Sequence, residues 1–123
     1  MRVATELTEL KGGLVVNSDG VRGAKAVWGN QATWATYSRE IGGRIKGIAI
    51  FPSASNPNPT WWHSRDYGVI VANGFGKRAL PASPDGKLVV KPGDSLKLRY
   101  DVLLFDTPPS APVDFAAVYR RLR

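Results

Sequence analysis

Ser95-Leu96-Lys97-Leu98-Arg99-Tyr100-Asp101-Val102-Leu103-Leu104-Phe105 decides the class of this chain. Leu96, Leu98, Tyr100, Val102 and Leu104 alternate with Lys97, Arg99 and Asp101, the period of a strand with one face on a core and one in water. The outer face turns apolar at Leu103 and Phe105, which predicts that the far end is covered on both sides. Just before it, Lys91-Pro92-Gly93-Asp94 reads as a turn, because Pro fixes one φ and Gly frees the next. Lys87 to Val90 reads as a short strand leading into that turn.

Working outward, Ile45 to Phe51 is nearly all apolar and predicts a buried strand. Tyr67 to Ala72 reads the same way, and Gln31 to Tyr37 alternates. Ala24 to Trp28 is read as a further strand, interrupted by a bulge at Gly29-Asn30. Val3 to Leu10 alternates weakly and stops at Lys11-Gly12-Gly13. One stretch is helical: over Val113 to Leu122, Phe115, Ala116, Tyr119 and Leu122 share a face, with Pro112 and Asp114 near the start. About seven strands and one short C-terminal helix predict an all-β, antiparallel β-sandwich, a single domain over residues 1–123.

Composition supports this and removes several chemistries. Thirteen Gly and nine Pro in 123 residues suit many short elements joined by turns. The absence of Cys excludes disulfides, thiolate nucleophiles and Cys-bound zinc. With His63 the one histidine, a site with two imidazole ligands cannot come from one copy, so no metal or cofactor is expected. No apolar run approaches the roughly 20 residues of a membrane span. Glu6 and Glu9 follow Met1-Arg2-Val3 where a secretory signal needs an apolar stretch. The expectation is a soluble chain with no membrane partner. The net charge is +7, with Arg120, Arg121 and Arg123 gathered at the end. Elsewhere Lys and Arg mingle with acids, the pattern of a solvated surface rather than of a nucleic-acid groove.

One segment breaks the pattern. In Asn56-Pro57-Asn58-Pro59-Thr60-Trp61-Trp62-His63-Ser64-Arg65-Asp66-Tyr67-Gly68, prolines stiffen a loop and lower the entropy lost in holding one shape. The loop then delivers Trp, His, Arg, Asp and Tyr side by side. If Trp61 to Tyr67 is extended, Trp61, His63, Arg65 and Tyr67 share one face, and Trp62, Ser64 and Asp66 the other. Aromatic faces stack on the C–H side of a sugar, while Arg, His and Asn hydrogen-bond its hydroxyls. His63 titrates near neutrality and is suited to acid–base work. A plainer reading uses the same residues: Trp and Tyr as fillers of a sandwich core, Arg65–Asp66 as an ion pair, His63 as structural. Asn73-Gly74-Phe75-Gly76 reads as a hairpin turn, or as backbone amides offered to a ligand. Gly12-Gly13 and Gly42-Gly43 match no phosphate-binding loop, and Ser18, Ser38 and Ser64 lack a nucleophile-elbow context.

Gly20-Val21-Arg22-Gly23, Trp28-Gly29, Ala32-Thr33-Trp34, Gly47-Ile48-Ala49-Ile50-Phe51, Pro59 to Gly68 and Lys91 to Tyr100 together resemble the PmoA-like family of bacterial proteins. The likeness runs from about Gly12 to Asp106. Asn73-Gly74-Phe75-Gly76 departs from that family's Asn-Pro-Phe-Gly. A membrane copper oxygenase subunit needs spans and metal ligands that are not here. The resemblance implies instead a sandwich related to the galactose-mutarotase-like supersandwich, found among carbohydrate-utilisation proteins. It also implies that the chain is the C-terminal half of a longer domain, with open sheet edges that favour a homo-oligomer. By the same resemblance His63, Arg65 and Tyr67 match that family's polar positions, flanked by Asn56, Trp62 and Asn73; the expectation is that His63, Arg65 and Tyr67 are catalytic and that Asn56, Trp61, Trp62, Asp66 and Asn73 bind a sugar or sugar derivative. The alternative expectation is a non-catalytic assembly module of such a protein, whose Trp-rich segment is interface.

Overall fold

The computed structural model describes residues 1–76 and 86–123. Six strands are present among them: β1 (Leu14–Asn17), β2 (Ala35–Ile41), β3 (Arg44–Pro52), β4 (Trp61–Ser64), β5 (Ile70–Asn73) and β6 (Tyr100–Thr107). They form two antiparallel sheets, one in the order β1-β2-β3-β6 and one pairing β4 with β5. Two helices accompany them, α1 (Ala24–Val27) and the C-terminal α2 (Phe115–Arg121). The expected class therefore holds: mostly β, two antiparallel sheets, and a short helix at the C-terminal end. No helix among the described residues is long and apolar enough to cross a membrane.

The core lies between the two sheets. Val15, Ala35, Tyr37, Ile48 and Ile50 line one face of the larger sheet, and Trp62 and Ile70 of the smaller sheet meet them, with Ala24 and Val27 of α1. Strand alternation sorts these residues inward; Ile45 to Phe51 reads as a nearly all-apolar run because β3 is covered on both sides from Gly47 onward. On the opposite face, Phe115 of α2 packs 5.2 Å from Phe105 and 5.4 Å from Trp34, ring centre to ring centre. Gly47 sits in that crowded centre: a Cβ there would lie 2.5 Å from the Tyr37 carbonyl oxygen and 2.8 Å from the Phe105 ring.

Four local expectations are corrected. Ala24 to Trp28 is not a strand: Ala-Lys-Ala is strongly helix-forming, and one turn of helix buries Ala24 and Val27 together. Val3 to Leu10 forms two 3-10 turns, Thr5–Leu7 and Glu9–Lys11. Lys87 to Val90 lies outside the strands formed among the described residues and is exposed. The strand expected from Ser95 begins only at Tyr100, because its partner β3 ends there. Pro52 lies opposite Tyr100, the Ser53 amide makes one more bond to the Arg99 carbonyl at 3.0 Å, and the chain then leaves into the proline-rich loop.

The smaller sheet does not reach across the larger one. Ile48 and Ile50 stand opposite Leu104 and Val102, so these four share a sheet face. Ile48 and Ile50 are buried, whereas Val102 is 46% and Leu104 74% exposed.

Candidate functional site

β4 presents its side chains as alternation requires. Trp62 and Ser64 face the core, Trp61 and His63 the outside. The cross-strand neighbours of the outer pair are Asn73 and Val71 of β5. The inner pair is firmly anchored. The Trp62 indole N–H donates to the Ala32 carbonyl at 3.0 Å, and the Ser64 hydroxyl donates to the Ala24 carbonyl at 2.6 Å.

The other edge of β4 is closed by the chain that leaves α1. The Gly29 amide donates to the Trp62 carbonyl at 2.8 Å, and the Trp62 amide donates to the Asn30 carbonyl at 2.9 Å. This docking brings Trp28 to His63. Its indole N–H donates to His63 Nδ1 at 3.1 Å, with the rings edge to face at 6.4 Å. The Arg65 guanidinium lies over the same indole, 5.7 Å from the ring centre, a cation–π geometry. Trp28, Trp61 and His63 are each half-buried and Arg65 is exposed. The group is an aromatic and cationic surface.

Burial first, and then the Arg65 charge, push the His63 pKa below its ordinary 6.5. The neutral ring accepts at Nδ1, so its proton sits on Nε2. Unfolded His63 takes up a proton near pH 6.5 and the folded protein only below that. The unfolded state therefore binds more protons as pH falls through this window. His63 contributes its stability fully above pH 6.5 and loses it on acidification. In an NMR titration the His63 ring signals should show a midpoint under 6.5, and Arg65→Ala should move that midpoint upward.

Of the residues singled out in the sequence, the structure brings Trp61, His63 and Arg65 to one surface, with Asn73 opposite Trp61. Trp62 is not at that surface: it is 0% exposed, so its expected ligand contact is corrected to a core role. Tyr67 is separated because β4 ends at Ser64. A turn follows, closed by the Gly68 amide on the Arg65 carbonyl at 3.2 Å. Gly68 has φ +101°, and its missing Cβ leaves room for Val3 and Thr8. In that turn Tyr67 is exposed beside Arg2, 6.0 Å from ring centre to guanidinium. Asp66 is exposed, and its carbonyl accepts from the buried Tyr37 hydroxyl at 2.9 Å. Asn56 holds the loop, bonding both the amide and the carbonyl of Arg99 at 2.8 and 2.9 Å. The Asn73 carboxamide accepts from the Phe75 amide at 2.8 Å, an Asx turn. Trp28 is the residue that the sequence did not disclose.

The proline loop borders a separate cleft of about 700 Å³, lined by Gln31, Thr33, Asn58, Thr60, Tyr119 and Arg123 among others. It takes Asn56 from the expected set, and none of Trp61, His63 or Arg65.

No curated protein and no solved structure matches the chain. A family model matches residues 1–118, and its description is a family of unknown function, DUF6807. Nothing in that match links the chain to PmoA or to a methane oxygenase, so the resemblance drawn from the sequence motifs is corrected. The chain belongs to the DUF6807 family.

Proposed function

We infer that this is a saccharide-binding β-sandwich domain whose binding face is the outer surface of β4 and β5. One observation carries the reading: Trp28, His63 and Arg65 are locked together by a hydrogen bond and a cation–π contact beside the half-exposed Trp61. Such a surface offers a ring for the C–H face of a sugar and fixed donors for its oxygens. Both polar groups donate, Arg65 through its guanidinium and His63 through Nε2–H. Acidic sugars are therefore favoured over neutral ones, in keeping with the net charge of +7.

The same geometry supports binding over proton transfer. Nδ1 is occupied by the Trp28 N–H, and the free ring nitrogen carries a proton at neutral pH. Neither Asp66 nor Tyr67 stands beside His63 to complete an acid–base pair. The test is a titration of intrinsic Trp fluorescence with uronate and neutral oligosaccharides. A saturable change is expected, strongest for uronates, and Trp61→Ala should weaken binding by roughly tenfold or more. If no saccharide changes the emission, the reading fails. An assembly role is favoured by a different observation, the uncovered apolar face of β6.

A further inference from the structure

Thr60 lines the cleft bordered by the proline loop. It is only 9% exposed, and its hydroxyl makes no hydrogen bond among the described residues. A hydroxyl so far out of water costs free energy unless something pairs with it. The surroundings of Thr60 are held firmly. Gln31 bridges Trp61, which brings its backbone alongside Thr60, and the Ala32 carbonyl is fixed by the buried Trp62 indole at 3.0 Å. The loop is pinned where Asn56 bonds both main-chain groups of Arg99 at 2.8 and 2.9 Å. The end of α2 adds Tyr119, with the Arg123 guanidinium 4.2 Å from its ring centre. The volume, about 700 Å³, is in the range of small-molecule sites.

We propose that this cleft is a binding site for an uncharged saccharide, distinct from the surface of β4 and β5. Charge narrows the ligand first. Asp19 and Arg123 both line the cleft, so an anion meets a carboxylate and a cation meets a guanidinium. An uncharged ligand finds one strong acceptor and one strong donor. The other polar groups give and take alike: the hydroxyls of Thr33, Thr60 and Tyr119 and the carboxamide of Gln31. Sugar hydroxyls have the same double capacity. The loop wall argues against a peptide. Pro52, Pro57 and Pro59 have no N–H. The amides of Ser53 and Asn56 are spent on the Arg99 and Ser53 carbonyls, and that of Ser55 on the Ser53 hydroxyl. This wall is therefore poor in the main-chain donors that hold an extended peptide. It offers instead proline rings, apolar surfaces suited to the C–H side of a sugar.

The inference does not rest on the reading of the β4–β5 surface, and a residue-resolved titration separates the two. The amide signals of the full chain are followed by two-dimensional NMR as maltotriose, cellotriose or mannotriose is added, with a blocked alanine tripeptide and a galacturonate trimer in parallel. At least one neutral trisaccharide should shift the Gln31, Thr33 and Thr60 signals saturably, with a dissociation constant of about 1 mM or below. Thr60→Val should weaken that binding roughly tenfold. It should also keep or raise the melting temperature, because the hydroxyl it removes has no partner within the protein. A hydroxyl with a structural role would give the reverse: a lower melting temperature and unchanged binding. Gln31→Ala, at an exposed position, should weaken binding roughly threefold or more and leave the melting temperature in place. Cleft shifts uphold the proposal whether or not the Trp28 and Trp61 indole signals move. No cleft shift with any neutral trisaccharide, shifts from the peptide or the uronate alone, or a Thr60→Val variant that melts lower and binds as wild type would each overturn it.

Discussion

Trp62→Ala is expected to remove about 3–5 kcal/mol of folding free energy and to lower the melting temperature by roughly 10–20 °C. Trp62 is the largest side chain fully buried in the described residues, and it joins three parts of the fold. Its ring fills the space between the sheets, its indole N–H holds Ala32, and its backbone is bracketed by Gly29 and Asn30. Truncation leaves an indole-sized void and an unpaired carbonyl, in a domain whose whole stability is of order 5–15 kcal/mol. Trp61→Ala, one residue earlier and on the outer face, should cost about 1 kcal/mol or less. Differential scanning calorimetry of the two variants distinguishes the faces of β4. Equal losses would contradict the alternation on which the site is built.

Glu9→Ala carries the second large effect. One oxygen of this carboxylate accepts from the Val15 amide at 3.0 Å and from the Ala24 amide at 2.8 Å. It thereby joins the second 3-10 turn to the start of β1 and to the first turn of α1. The Glu9 amide also donates to the buried Tyr37 hydroxyl at 2.8 Å. Hydrogen bonds to a charged group contribute about 1.5–3 kcal/mol each, and Ala would orphan two amides at once. A loss of roughly 2–4 kcal/mol is expected, read as a lower urea midpoint with an unchanged slope. Glu9→Gln, which keeps an acceptor oxygen but not the charge, should recover about half of it. Because α1 leads directly into Trp28, the Ala variant should also lose order at the Trp28–His63 contact.

The strands that were legible in the sequence are those whose burial is uniform. β3 is apolar from Ile48 to Phe51, where α2 lies on one face and the smaller sheet on the other. The alternation of Trp61 to Ser64 separates an outer Trp and His from an inner Trp and Ser, as the structure does. That alternation gives no notice of the turn at Arg65, so Tyr67 reads as part of the same face when it is not. α1 was illegible as a helix because it is a single turn, short enough for Ala24, Ala26 and Trp28 to pass as strand alternation. The site's largest omission has the same root. Trp28 meets His63 across a sequence separation of 35, and the contact exists only because the chain after α1 docks on the edge of β4. An alternating pattern reports what a strand's own faces do, not what is laid against its edge. β6 shows the converse: its apolar stripe reads as core, while within one chain the smaller sheet stops short of it.

A two-dimensional NMR titration of the four indole N–H signals with a uronate oligosaccharide tests the binding surface most directly. Saturable movement of the Trp61 and Trp28 signals, with Trp62 and Trp34 left in place, is the result the account predicts. Stationary Trp28 and Trp61 signals at saturating sugar, or movement at Trp34 alone, would contradict it.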